Sequence, residues 1–110
     1  MDRVTQEQAK QSKDGAALIL LAGFTEDLLS QKALHPDELQ WKILVNHLDE
    51  MIYRSKTSEK LPELDITLFS GLSKKSMELA DEVVRRVQNL GDDEQYLLAV
   101  HFENIQGIIT

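Results

Sequence analysis

The 110-residue chain contains no cysteine, which excludes a disulfide framework and thiolate metal sites. That absence fits a reducing compartment. Only two prolines and five glycines interrupt it, too few breakers to prevent long helices. Aromatic residues make up 5% of the chain and offer little stacking surface for single-stranded nucleic acid. Cations are also scarce: 12 Lys and Arg face 19 Asp and Glu, for a formal charge of −7. Such a surface repels phosphate backbones. The densest basic runs are the pairs Lys74–Lys75 and Arg85–Arg86, so direct nucleic-acid binding is not expected.

Longer signals are missing as well. No glycine spacing forms a phosphate-binding loop or a dinucleotide fingerprint, and Gly71–Ser73 lacks the second glycine of a nucleophile elbow. The most apolar run, GAALILLAGF from Gly15 to Phe24, falls well short of the ~20 residues needed to span a bilayer. The segment ahead of it, MDRVTQEQAKQSKD, is polar and mixed in charge, unlike a short basic leader, and no A-x-A-like site follows. The run is expected to be a buried helix in a cytoplasmic protein that does not enter a membrane.

What is present is an ordinary globular composition, 42% hydrophobic and 28% charged, enough for one domain over residues 1–110. Periodicity predicts five helical stretches. The first runs from Thr5 to Gln31, loosened at Gly15 or Gly23. The second runs from Pro36 to Arg54, with Pro36 in its first turn. It buries Trp41, Leu44, Val45, Leu48, Met51 and Ile52 at three-and-four spacing. After the polar loop SKTSEKLPE, a short third helix holds Ile66, Leu68, Phe69 and Leu72. The fourth, Ser76 to Leu90, carries Ala80, Val83, Val84 and Val87, with Gly91 as its left-handed stop. Asp92, with Gln95 three residues on, opens the fifth, which turns Leu98, Phe102, Ile105 and Ile109 inward. No alternating strand pattern of useful length occurs, so the expected fold is an all-α bundle.

Two histidines sit inside these helices, in ILVNHLDEMIYR and YLLAVHFENI. At about 100° per residue, His47 falls roughly 100° from the centre of its apolar stripe and His101 roughly 60° from its own. Both are flank positions that could face a common groove. Pattern alone leaves two readings open, a packed and hydrogen-bonded structural histidine or one of a reactive pair. His35 precedes Pro36 in a link and reads as an exposed or capping residue.

Two segments also carry a resemblance. LVNHLDEMIYR resembles the first-histidine helix of the PTS regulation domain, or PRD, and LGDDEQYLLAVHFENI resembles its closing helix. Between them, LPELDITLFSGLSKKSMELADEVVRRV is similar to the family's middle segment. The resemblance covers roughly Pro36 to Ile105. It implies a compact five-helix PRD bundle, often paired as a homodimer. It also implies that His47 and His101 are phosphorylatable histidines, modified by the phosphocarrier HPr or a sugar-transport Enzyme II. Arg54 matches the family's arginine and would support an incoming phosphate. Asn46, the second residue expected to support the phosphate, stands where the family often has Asp, so one carboxylate that could orient the ring is missing. The implied role is regulatory, with no enzyme activity and no cofactor.

Three functional expectations follow. The first is a single PRD controlled by histidine phosphorylation in sugar-responsive transcription or metabolism. The second is a helical interaction module with unmodified histidines that binds a metabolic enzyme or regulator. The third is a metal-dependent enzyme using His47, Asp49 or Glu50, His101 and Glu103. It is disfavoured because Leu44 and Leu98 stand where paired Glu-x-x-His ligands would need glutamate.

Overall fold

Short acidic or hydroxyl side chains set where four helices begin. In the computed structural model, which describes residues 2–106, Asp2 accepts from the Thr5 N–H ahead of α1 (Arg3–Gln11) and Asp14 from Ala17 ahead of α2 (Gly15–Gln31). Asp37 accepts from Gln40 ahead of α3 (Glu38–Thr57), and Ser73 from Ser76 ahead of α4 (Lys74–Val84). Each cap satisfies an N–H that the first turn leaves unpaired. At α3 the Gln40 side chain also accepts from the Asp37 N–H, completing a capping box. The last helix, α5 (Glu94–Gln106), grows instead from a turn in which Glu94, Gln95 and Tyr96 donate to the carbonyls of Gly91, Asp92 and Asp93. A single 3-10 turn, Ile66–Phe69, lies between α3 and α4. The protein is an all-α bundle, with no strand among the described residues.

The five α-helices are not quite those that periodicity draws. The long first stretch is two helices, because the chain turns back at Ser12–Asp14. There the Ser12 hydroxyl donates to Asp49 at 2.5 Å, and Asp14 pairs with Lys56 at 2.5 Å. Gly15 permits the corner: a Cβ on it would lie 2.4 Å from the Ala9 carbonyl oxygen, whereas one on Gly23 would meet nothing within 4 Å. Pro36 stays outside α3, since Asp37 takes the capping position. At its other end α3 continues past Arg54 to Thr57, where Ser58 is left-handed at φ 59°. The Asn89 amide donates to the Ser55 carbonyl and the Ser58 hydroxyl, both at 2.9 Å, and so caps this extra turn. Asn89 itself, at φ 62°, takes the left-handed role expected of Gly91. Asparagine tolerates that region, and α4 has already ended at Val84.

Two further expectations change. The short third helix is one 3-10 turn, Ile66–Phe69, which leaves Leu72 outside it and Ile66 and Leu68 52% and 78% exposed. Phe69 packs on Tyr96 at a ring separation of 5.5 Å. The expected Asp92–Gln95 box is replaced by a longer tie, in which the Gln95 side chain donates to the Met77 carbonyl at 2.9 Å. Ile105 is partly buried against the core, and Ile109 lies outside the described residues.

The core sits around α3, which packs against α1, α2 and α5, while α4 packs on α5 and α2. Leu44, Val45, Leu48 and Met51 of α3 are fully buried, together with Leu18 and Leu29 of α2, Leu79 and Val83 of α4, and Leu98 and Phe102 of α5. Trp41 is buried too, and its indole N–H donates to Asp2 at 3.0 Å and to the Thr5 hydroxyl at 3.1 Å. Those bonds satisfy the one polar atom of a large apolar side chain and clamp the start of α1 to α3. Among the described residues, no helix is long and apolar enough to cross a membrane.

Candidate functional site

The chemistry-bearing side chains gather on the seam where α3 and α5 run antiparallel. Arg54 of α3 meets Glu94 of α5, and His47 meets His101. Each helix spaces its two residues by seven, which is two turns or about 10.5 Å. The ion pair and the ring pair are therefore successive rungs of one ladder. Beyond the rings, the Gln40 side chain donates to the Asn104 carbonyl at 3.2 Å.

The two imidazoles lie 4.7 Å apart between centroids and are inclined at 45°. His101 is half-buried, whereas His47 is only 8% exposed. The flank position predicted from periodicity is thus deeper than expected. The reason is tertiary: α3 is surrounded by three helices, so its buried arc is wider than one apolar stripe. Burial, with smaller contributions from His101 and Arg54, pushes the His47 pKa down to about 3. Burial also lowers His101. Both rings are consequently neutral near pH 7 and keep a nitrogen lone pair available. The His47 Nε2 is buried and has no hydrogen-bond partner among the described residues.

Arg54 is already engaged. Its Nε and one terminal nitrogen donate to the two Glu94 oxygens at 2.7 and 2.8 Å, and Glu50 stands 3.9 Å from another. Glu94 is 1% exposed, so this two-bond fork is what makes its burial tolerable. The Glu94 hydrogen bonds are the main reason that Arg54 holds its proton more tightly than usual. Arg54 would therefore have to exchange a carboxylate in order to hold a phosphate. Asn46 is exposed, accepts from Gln8 at 3.1 Å and donates to Glu50 at 3.2 Å. Glu94 is the residue that sequence reasoning left out of the site. Its signal was present: it precedes His101 by the same seven residues that separate His47 from Arg54.

The carboxylates of the metal hypothesis are spoken for elsewhere. Asp49 accepts from Ser12, and the buried Glu103 accepts from the Ser73 N–H at 2.5 Å at the start of α4. Among the described residues no group of three or more His, Asp or Glu is gathered as a metal-ligand set. His35 is exposed in the link before α3 and takes no part in the seam.

Comparison with known proteins points in one direction. The family model of the PRD domain matches residues 24–105. The crystal structure of a PRD-containing transcription regulator from Lactobacillus casei ATCC 334 is similar over the whole bundle, with a TM-score of 0.95 at 38% identity. The match covers 99% of this chain and 97% of that one. A search of curated proteins gave no match.

Proposed function

The chain belongs to the PRD domain family, and from that premise we propose that it acts as a single PTS regulation domain whose histidines accept a phosphoryl group from HPr or an Enzyme II. The observation that carries this reading is the His47–His101 ring contact. Two residues 54 positions apart in sequence meet as neutral imidazoles on one seam.

In the proposed step, an imidazole lone pair attacks the phosphorus of a donor phosphohistidine. A nitrogen–phosphorus bond forms on this chain as the donor's breaks, the donor imidazole leaves and takes up a proton from water, and the acceptor ring releases its own proton to water. His101 is the more accessible ring, and His47 needs a shift of the seam before its buried Nε2 is reached. The new phosphoryl group carries about −1.5 to −2 charges. One rung from Arg54, it competes with Glu94 and Glu50 for the guanidinium and so loosens or re-forms the α3–α5 contact. Asn46 lies beside Glu50 and follows its movement. The reorganised surface reports sugar transport to a partner protein. The L. casei relative's description as a transcription regulator supports transcription as the output. The reading includes a homodimer, a cytoplasmic setting and regulatory rather than enzymatic work.

Incubation with Enzyme I, HPr and phosphoenolpyruvate, with and without Enzyme II, tests the reading. Acid-labile phosphate on wild-type protein, lost in the His47→Gln/His101→Gln double variant, is expected. Unlabelled wild-type protein with cognate components would refute it.

A second reading is favoured by one observation, the burial of His47 Nε2: a bundle that binds a metabolic enzyme or regulator with its histidines unmodified. It predicts that the same double variant still captures the partner, and loss of capture would exclude it.

A further inference from the structure

We infer that the α3–α5 seam holds one phosphoryl group at a time, so that modification of either His47 or His101 excludes the other. The two residues are then alternative acceptors of one site. This rests on the phosphorylation reading above and adds a rule of occupancy to it.

The geometry carries the inference. With centroids 4.7 Å apart, phosphoryl groups on both rings remain within roughly 10 Å of each other even if they project to opposite sides. At that separation, with charges of about −1.5 each and an effective dielectric near 20, repulsion disfavours the doubly modified state by more than about 100-fold. Charges already on the seam make matters worse. Glu94 is buried one rung away, and Glu50 stands beside it on the same guanidinium. Arg54, the cation whose field reaches His47, already faces both carboxylates and has no capacity for two further anions.

Chemistry points the same way. A phosphoryl group on one ring draws a proton onto the other, because a nearby anion favours the charged imidazolium. A ring protonated on both nitrogens has no lone pair with which to attack phosphorus. The first transfer thus raises the proton affinity of the second nucleophile as well as repelling the second phosphate. The bond count is the ordinary one: one nitrogen–phosphorus bond breaks in the donor for each one formed here, and no further co-reactant is needed.

The experiment counts phosphoryl groups by intact-mass spectrometry at neutral to alkaline pH, where phosphohistidine survives. Purified wild-type protein, His47→Gln and His101→Gln are each treated with HPr phosphorylated from phosphoenolpyruvate and Enzyme I, with Enzyme II added in a parallel arm. The expected result is one phosphoryl group on each variant and one on wild type, distributed between the two histidines when peptides are mapped. A wild-type species carrying two groups overturns the inference while leaving the phosphorylation reading intact. Labelling of only one variant also overturns it, because the acceptors are then not interchangeable. No labelling of any form overturns both the reading and the inference. The count on wild type needs no substitution, so misfolding of a variant cannot hide the decisive outcome.

Discussion

The depth of His47 predicts a specific pH dependence of stability. In the unfolded chain its imidazole titrates near pH 6.5, whereas in the bundle its pKa is pushed down to about 3. The folded state therefore binds fewer protons throughout that interval, so stability must fall as pH falls below 6.5 and level off near 3. At pH 5 the unfolded chain has taken up a proton that the fold still refuses. Relative to pH 7, the linkage from His47 alone amounts to about 2 kcal/mol. His101 is lowered by burial and adds in the same direction. The carboxylates held below their ordinary range, Asp14 chiefly by Lys56 and Asp65 by Thr67, are shifted in the same direction but titrate from a lower starting point. Their stabilisation is lost only below about pH 4, so the window from pH 7 to 5 isolates the histidines.

Urea denaturation at pH 7, 6 and 5 provides the assay, with an unchanged slope certifying that the same surface is exposed each time. His47→Gln removes the titrating group and should lose about 2 kcal/mol less than wild type between pH 7 and 5. A histidine-ring NMR titration gives a direct check: the His47 resonances should stay in the neutral position down to pH 5. Equal pH dependence in wild type and His47→Gln, or a His47 midpoint near 6.5, would refute the account.

How far the sequence revealed this site is clearest at individual residues. The stripe Trp41, Leu44, Val45, Leu48, Met51 and Ile52 was legible because α3 repeats its apolar positions on one face, and all six are buried. The pairing of His47 with His101 was legible as resemblance between two segments and as a shared flank. The depth of His47 was not, because periodicity describes one helix whereas burial here depends on the three others around α3. The Arg54–Glu94 fork was half legible: the seven-residue spacing puts each residue on the flank of its histidine, but on one helix wheel a charged residue beside an apolar stripe looks solvated. The break at Ser12–Asp14 was weakly marked, since the corner depends on Asp49 and Lys56, both on α3 and more than 30 residues away. Asn89 displaced Gly91 as the left-handed residue because its side chain caps the end of α3, a tertiary bond that local stop signals cannot anticipate.

Four further predictions address the scaffold and the seam. Gly15→Ala should destabilise the fold by about 1–3 kcal/mol, because its methyl group would collide with the Ala9 carbonyl. Gly23→Ala, in open space, should be neutral or stabilising by up to about 1 kcal/mol, and paired thermal melts decide both. Asp37→Ala removes the α3 capping box and should cost about 1 kcal/mol in urea titrations, so an unchanged midpoint would mean that solvent replaces the cap. The sharpest is a double-mutant cycle on Arg54 and Glu94. Arg54→Met alone leaves a carboxylate that is 1% exposed without its fork and should cost about 3–5 kcal/mol. Adding Glu94→Gln removes the stranded charge and should return a large part of that loss, giving a strongly non-additive cycle. Additive effects below about 1 kcal/mol each would place the fork among weak surface ion pairs. The seam would then lack the electrostatic latch through which a phosphoryl group on the neighbouring rung is proposed to act.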